Sequence, residues 1–106
     1  MESKRLTIDE LTEKMHELVK SKGWCEIDSK RKQTPRNLAI SLSLEAAEIL
    51  EHFQWRDEAQ NKDELASELA DVALYLLQLA SVSNIDLEAA ILKKIEINKT
   101  RTWDDK

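Results

Sequence analysis

Two pairs of acidic residues in this chain have the residue types and the spacing of a divalent-cation site. Glu45 and Glu48 lie three residues apart in LEAAEIL, and Glu68 and Asp71 have the same spacing in ELADVAL. Because residues three apart on an α-helix share a face, each pair would present two carboxylates side by side. Four oxygen donors on two neighbouring helices would favour Mg²⁺, or Mn²⁺ in its place, over zinc or copper.

The residues around these acids help to decide whether the acids form a metal site or simply a solvent-exposed helix face. Either pair alone is commonplace in a chain of which 35% of residues are charged. On helical wheels both pairs form narrow polar strips on otherwise mostly apolar helices. The strip on the later helix comprises Glu64, Ser67, Glu68, Asp71, Tyr75 and Gln78. Such helices are normally buried, and clustered carboxylates at the edge of a core repel one another unless a cation binds them, so two pairs together favour the metal site.

Four helices that would position these residues are predicted from caps and apolar periodicity. With their capping residues they run from Thr7 to Gly23, from Thr34 to about Trp55, from Asn61 or Asp63 to about Ser83, and from Asp86 to about Thr100. The signals are Ser/Thr/Asp/Asn caps, a proline at the start of the second helix and a glycine after the first. One glycine and one proline in 106 residues leave little provision for tight turns. We expect a single all-α domain, residues 1–106, resembling a four-helix bundle.

The composition excludes several classes of function. A formal net charge of −5 argues against binding to nucleic-acid polymers, and a lone glycine cannot build a phosphate-cradling loop. The single cysteine, Cys25, has no intrachain partner and no histidine placed to activate it. No signal peptide and no apolar run of about 20 residues are recognised, so we expect a cytoplasmic protein with no membrane association.

The two histidines offer a weaker alternative to an all-carboxylate site. Glu13 and His16 have the Glu-x-x-His spacing of di-iron bundles, but Glu13 points away from the apolar stripe of its helix, which favours a wet surface pair. His52 follows Glu48 by one turn and is interpreted as a surface histidine, with a supporting role near the metal as the alternative.

Three segments of the chain resemble a known family. TPRNLAISLSLEAAEILEHFQW, ELADVALYLLQLA and KIEIN are similar to the MazG-like nucleotide pyrophosphohydrolases, and within them to the small single-domain, dCTP pyrophosphatase-like branch. The resemblance covers about Trp24 to Arg101. It implies an all-α homodimer or homotetramer that uses Mg²⁺ to hydrolyse nucleoside triphosphates to monophosphate and pyrophosphate, as house-cleaning of dCTP-like or non-canonical deoxynucleotides.

The resemblance also implies roles for individual residues. Glu45, Glu48, Glu68 and Asp71 would be the metal ligands and catalytic carboxylates. The expected substrate-binding residues are Trp24, Asn37, Trp55, Lys94 and Asn98. The loop after Trp24 departs from the family's usual Trp-x-x-Phe-His stretch.

A second function remains open at this point. The stretch LADVALYLLQLA is apolar around most of its circumference, so we expect it to pair with another chain in at least a dimer. The same property would suit a non-catalytic helical module that binds another protein. The acids would then form a solvated strip along the interface. Such a module would respond neither to Mg²⁺ nor to nucleotides.

Overall fold

The computed structural model describes residues 5–24, 28–30 and 32–102, and within these ranges the chain is all-α. The helices are α1 (Ile8–Ser21), α2 (Pro35–Glu51), α3 (Lys62–Val82) and α4 (Leu87–Thr100). No strand occurs in these ranges, which confirms the predicted fold class. Cys25 lies outside the described residues.

Each helix begins where the sequence places its cap. The side chains of Thr7, Thr34, Asn61 and Asp86 each accept a hydrogen bond from the backbone N–H three residues further on. Thr7 and Glu10 form a complete capping box, with bonds of 3.1 and 2.8 Å. Of the two caps that the sequence left open for α3, Asn61 is therefore the one used. These bonds satisfy backbone donors that a helix start otherwise leaves unpaired.

Two helices end in Schellman motifs, in which a left-handed residue closes the last turn. Gly23, with φ 71°, follows α1, and the Trp24 N–H donates back to the Val19 carbonyl at 3.1 Å. Asn84, with φ 58°, follows α3 and serves the same purpose. The motif after α1 returns the backbone of Trp24 to the last turn of its own helix.

The prediction that the second helix runs to about Trp55 is wrong, since α2 ends at Glu51. The backbone N–H groups of His52 and Phe53 bond to carbonyls only three residues back, so the last turn tightens and stops. His52 instead directs its side chain at α3. Trp55 consequently lies in the α2–α3 connection, where it is 87% exposed.

Helix α3 is the central element of the chain. It packs most extensively against α2 and also against α1, whereas α4 makes no comparably extensive contact with any helix. The buried apolar residues among those described are Met15, Val19, Leu38 and Ala80.

His16 Nε2 and Ser81 Oγ are hydrogen-bonded at 2.8 Å, which ties α1 to α3. The prediction that Glu13 and His16 form a solvent-exposed pair is thus wrong for His16. This side chain is half-buried and is hydrogen-bonded to a residue 65 positions away.

The length and composition of α3 would also allow it to cross a membrane, although no such segment is expected from the sequence. The core helix of a water-soluble protein can meet the same condition, and in the single chain 17% of the apolar window of α3 is buried. One face of α3 carries Glu64, Glu68 and Asp71, and ionised residues are rare and costly within a lipid-embedded helix. We therefore describe α3 as the core helix of a bundle.

Much apolar surface remains uncovered in the single chain. The accessible surface is 8877 Å², against about 6,100 Å² expected for a folded monomer of this mass. The radius of gyration is 16.6 Å, against about 13 Å for a compact chain of this length. The exposed large apolar residues include Leu44, Leu50, Leu69, Leu76, Leu92 and Ile95.

Candidate active site

The structure brings the four predicted acids together across the α2–α3 contact. The pKa of Glu45 is raised above its ordinary value, first by partial burial and then by the negative charges of Glu48, Asp71 and Glu68. Two of these charges come from the other helix, so the two acidic strips face each other. Like charges held at this range favour protonation of one member, or binding of a cation among them.

The carboxylate oxygens of the four acids are ligands that suit a hard divalent cation. Their side chains do not, however, converge on a single position. Among the described residues, no three His, Cys, Asp or Glu side chains converge closely enough to hold an ion by themselves. Mg²⁺ does not require such a cage, because it usually keeps several waters and binds one or two carboxylates together with substrate phosphates. Mutually repelling carboxylates are therefore compatible with a site that a cation would complete.

Replacing Glu45 with glutamine is expected to raise the melting temperature at neutral pH in the presence of a chelator. The folded chain holds the Glu45 proton more tightly than the unfolded chain does, because its folded-state pKa is the higher one. The ionised group therefore destabilises the fold at neutral pH. As the pH falls through the folded-state pKa this destabilisation is relieved, and it is absent below the ordinary value of 4.5.

Thermal unfolding of the wild type and of Glu45→Gln, followed by circular dichroism across acidic to neutral pH, checks this prediction. The difference in melting temperature should be largest at neutral pH and should vanish in acid. Glu13→Gln, a matched change on the exposed face of α1, should show no such trend. A lower melting temperature for Glu45→Gln at neutral pH would contradict the repulsion inferred here.

His52 is a neighbour of the acids that the sequence interpretation as a surface histidine missed. Its side chain is 8% exposed, and Nε2 lies 2.8 Å from Glu68 Oε1, whose side chain is 25% exposed. An ionised carboxylate only accepts hydrogen bonds, so Nε2 is the donor. The bond fixes one oxygen of Glu68 beside a polar cavity of about 400 Å³ that Glu48 also lines. The available signal was the position of His52 one turn after Glu48.

A second cavity, of about 340 Å³, places basic side chains close to the acids. Its lining includes Lys30, Lys32, Ser41 and Tyr75. Ser41 and Tyr75 lie one helical turn from Glu45 and Asp71, respectively. Asn37, which also lines it, donates from Nδ2 to the Lys32 carbonyl at 3.2 Å and so ties the basic loop to α2. A cationic wall beside a carboxylate cluster suits an anionic ligand that carries a metal ion.

A third cavity, of about 150 Å³, is mainly apolar. It is lined by Met15, Leu18, Val19, Trp24, Gln33, Asp71, Leu74, Tyr75 and Gln78. Trp24 enters it from the Schellman motif, and Asp71 connects it with the acidic cluster. Tyr75 lines both this cavity and the basic one, so the two adjoin on α3.

Three predicted substrate-binding residues lie elsewhere in the single chain. Trp55, Lys94 and Asn98 line none of the three cavities described above. Trp55 is exposed in the α2–α3 connection, and Lys94 and Asn98 belong to the loosely packed α4. Asn98 is half-buried, and its Oδ1 has no hydrogen-bond donor among the described residues. The structure thus gathers Trp24, Asn37 and the four acids, but leaves these three apart.

Comparisons with known proteins agree with this architecture. Residues 40–106 match the model of the MazG-like family. Human dCTP pyrophosphatase 1 is 35% identical over 85 residues, which cover 72% of this chain and 50% of that protein. A dATP/dGTP diphosphohydrolase of Salmonella phage PMBT28 is 45% identical over 38 residues, 36% of this chain and 13% of the phage protein.

The fold is also similar to the crystal structure of a pyrophosphatase from Archaeoglobus fulgidus DSM 4304. The TM-score is 0.77 at 33% identity, over 98% of this chain and 99% of that one. The chain spans about half the length of the mammalian dCTP pyrophosphatases that it matches. From its acidic strips, its helical architecture and the family match, the chain belongs to the MazG-like family.

Proposed function

We propose that this chain is a Mg²⁺-dependent nucleoside triphosphate pyrophosphohydrolase that converts a (d)NTP and water into a (d)NMP and pyrophosphate. The observation that carries the proposal is the facing of four carboxylates from α2 and α3, close enough to raise the pKa of Glu45. Asp71 of this cluster lines the apolar cavity, and Tyr75 lines both that cavity and the basic one. Relatives named for dCTP and for dATP/dGTP support a nucleotide substrate, with a cytosine-like base and a house-cleaning role as the finer proposal.

The four acids would bind the metal ion and take part in the chemical step. Glu45, Glu48, Glu68 and Asp71 would hold the cation, which when bound neutralises phosphate charge and makes water more acidic. One of these carboxylates would accept the proton of the attacking water, and the exposed Glu48 is our candidate for this role. The water oxygen bonds to the α-phosphorus as the α–β phosphoanhydride bond breaks, and pyrophosphate leaves.

Other residues would bind and orient the substrate. Lys30 and Lys32 line the basic cavity and would contact phosphate oxygens, while Asn37 bonds to the Lys32 carbonyl. Trp24 lines the cavity that would receive the base. Positioning and neutralisation of charge account for most of the catalysis in phosphoryl transfer of this kind.

A product assay tests the reaction type. Purified protein with Mg²⁺ is incubated with each canonical and modified nucleoside triphosphate, and the phosphate-containing products are resolved by ion-exchange chromatography. Monophosphate with pyrophosphate is the expected pair, with dCTP among the best substrates. Diphosphate with orthophosphate would contradict the proposed cleavage site, and no turnover with either Mg²⁺ or Mn²⁺ would favour the non-catalytic interaction module.

His52→Ala is expected to weaken binding of a divalent cation by about 10–100-fold, as is typical when a residue that orients a metal ligand is removed. The reason is that Glu68 loses the 2.8 Å bond that holds its carboxylate. Titration with Mn²⁺, followed by electron paramagnetic resonance without nucleotide, measures this affinity directly. His52→Gln retains an N–H donor and should restore part of it. His16→Ala, at the histidine that bonds to Ser81, is the control; equal affinities in the wild type and His52→Ala would refute the role.

We further propose that the protein is a homodimer or homotetramer. The uncovered leucines, the large accessible surface and the expanded radius of gyration support this proposal. Association would also bring α4, with Lys94 and Asn98, against a neighbouring chain.

A further inference from the structure

Gln78 is the most buried polar residue, taken over backbone and side chain together, among those that the structure describes. It is 6% exposed, and Nε2 donates to Gln33 Oε1 at 3.2 Å. Its own Oε1 is buried, and no described residue supplies a hydrogen-bond donor to it. Buried carbonyl oxygens are normally paired, because an unpaired one loses its bonds to water without replacement. The position therefore calls for a donor that residues 5–24, 28–30 and 32–102 do not provide.

The cavity that Gln78 lines indicates what kind of donor would enter. At about 150 Å³ it is smaller than the roughly 300–1,000 Å³ of pockets that hold whole drug-sized ligands, so it suits a single ring. Trp24 and Tyr75 contribute aromatic surface, which favours a flat, unsaturated ring. Asp71 places the acidic cluster at the same cavity. A nucleotide with its base in this cavity would therefore direct its phosphates toward the carboxylates.

We propose that Gln78 determines base specificity by accepting a hydrogen bond at Oε1 from the exocyclic amino group of a pyrimidine base. This inference rests on the proposed function. Gln33 accepts a hydrogen bond from Nε2 and so sets the orientation of the Gln78 amide. This orientation leaves Oε1, rather than Nε2, to contact the base. The exocyclic amino group of an aminopyrimidine can donate a hydrogen bond to Gln78 Oε1. An oxopyrimidine presents a carbonyl oxygen, which would repel it and leave two buried acceptors unpaired.

Binding of nucleoside monophosphates tests this proposal without depending on turnover. Isothermal titration calorimetry with dCMP and with dUMP, in the absence of divalent cations, should show at least about tenfold tighter binding of dCMP to the wild type. Gln78→Met keeps the length of the side chain and removes the acceptor. It should abolish the preference for dCMP, because dCMP loses its hydrogen-bond acceptor and dUMP loses the oxygen that repels its carbonyl group. Gln54→Met, an exposed site in the α2–α3 connection, should leave both affinities unchanged.

A second variant covers the case in which Gln78→Met fails to fold. Gln33→Leu removes the acceptor that orients the amide, so the Gln78 amide can rotate and present Nε2. The expected result is tighter binding of dUMP and a lower preference for dCMP. Equal binding of the two nucleotides by the wild type, or an unchanged preference in the folded variants, would overturn the proposal. Failure of the proposed function would instead appear as preferential dCMP binding with no hydrolysis of dCTP.

Discussion

Asp71→Asn is expected to abolish hydrolysis, with kcat reduced at least about 10³-fold, because several kcal/mol of charge stabilisation by the cation depend on its ligands. Asp71 belongs both to the acidic cluster and to the apolar cavity, so it stands where the triphosphate and the nucleoside would join. Asparagine has nearly the same shape and removes only the charge. Glu48→Gln, from the facing helix, should have an effect of similar size.

The measurement is steady-state hydrolysis of dCTP by the wild type and by both variants, with circular dichroism and light scattering as checks on fold and assembly. Helix content and mass should be unchanged, since neither side chain is buried. Asp57→Asn, the same chemical change in the exposed α2–α3 connection, is the matched control and should retain full activity. Wild-type turnover by both Asp71→Asn and Glu48→Gln would remove the four acids from the mechanism.

A mass of at least two chains is expected at micromolar concentration in multi-angle light scattering. Helix α4 has little cover from its own chain, and Leu92, 57% exposed, lies among its apolar residues. Full burial of a leucine contributes about 1.5–3 kcal/mol, so Leu92→Glu should weaken association by roughly 10–100-fold or more. Lys93→Asp, on the adjacent exposed position, is the control for adding negative charge to α4. A monomeric wild type would contradict the proposed assembly.

Features that depend on local chemistry were predictable from the sequence. The caps Thr7, Thr34 and Asp86 each act on a backbone group three residues away, so a short stretch of sequence contains both partners. The acidic strips likewise follow from helical spacing within each pair. Their facing across α2 and α3 required only that two helices joined by a short connection pack together.

Features that depend on distant partners were not predictable in the same way. His16 bonds to Ser81, His52 to Glu68 and Gln78 to Gln33, across separations of 65, 16 and 45 positions. No periodicity in one helix reveals which polar atom of another will meet it. The early end of α2 belongs to this group, because the turn that ends it also directs His52 toward Glu68. The remote positions of Trp55, Lys94 and Asn98 are equally a matter of how whole elements pack.

The loose attachment of α4 has a thermodynamic consequence. Ordering its 14 residues costs conformational entropy that contacts within one chain do little to offset. When the compensating contacts come from another molecule, ordering of this helix and association become one coupled equilibrium. Unfolding would then follow mass action, so dilution would lower the melting temperature and concentration would raise it. Stability would be a property of the solution as much as of the chain.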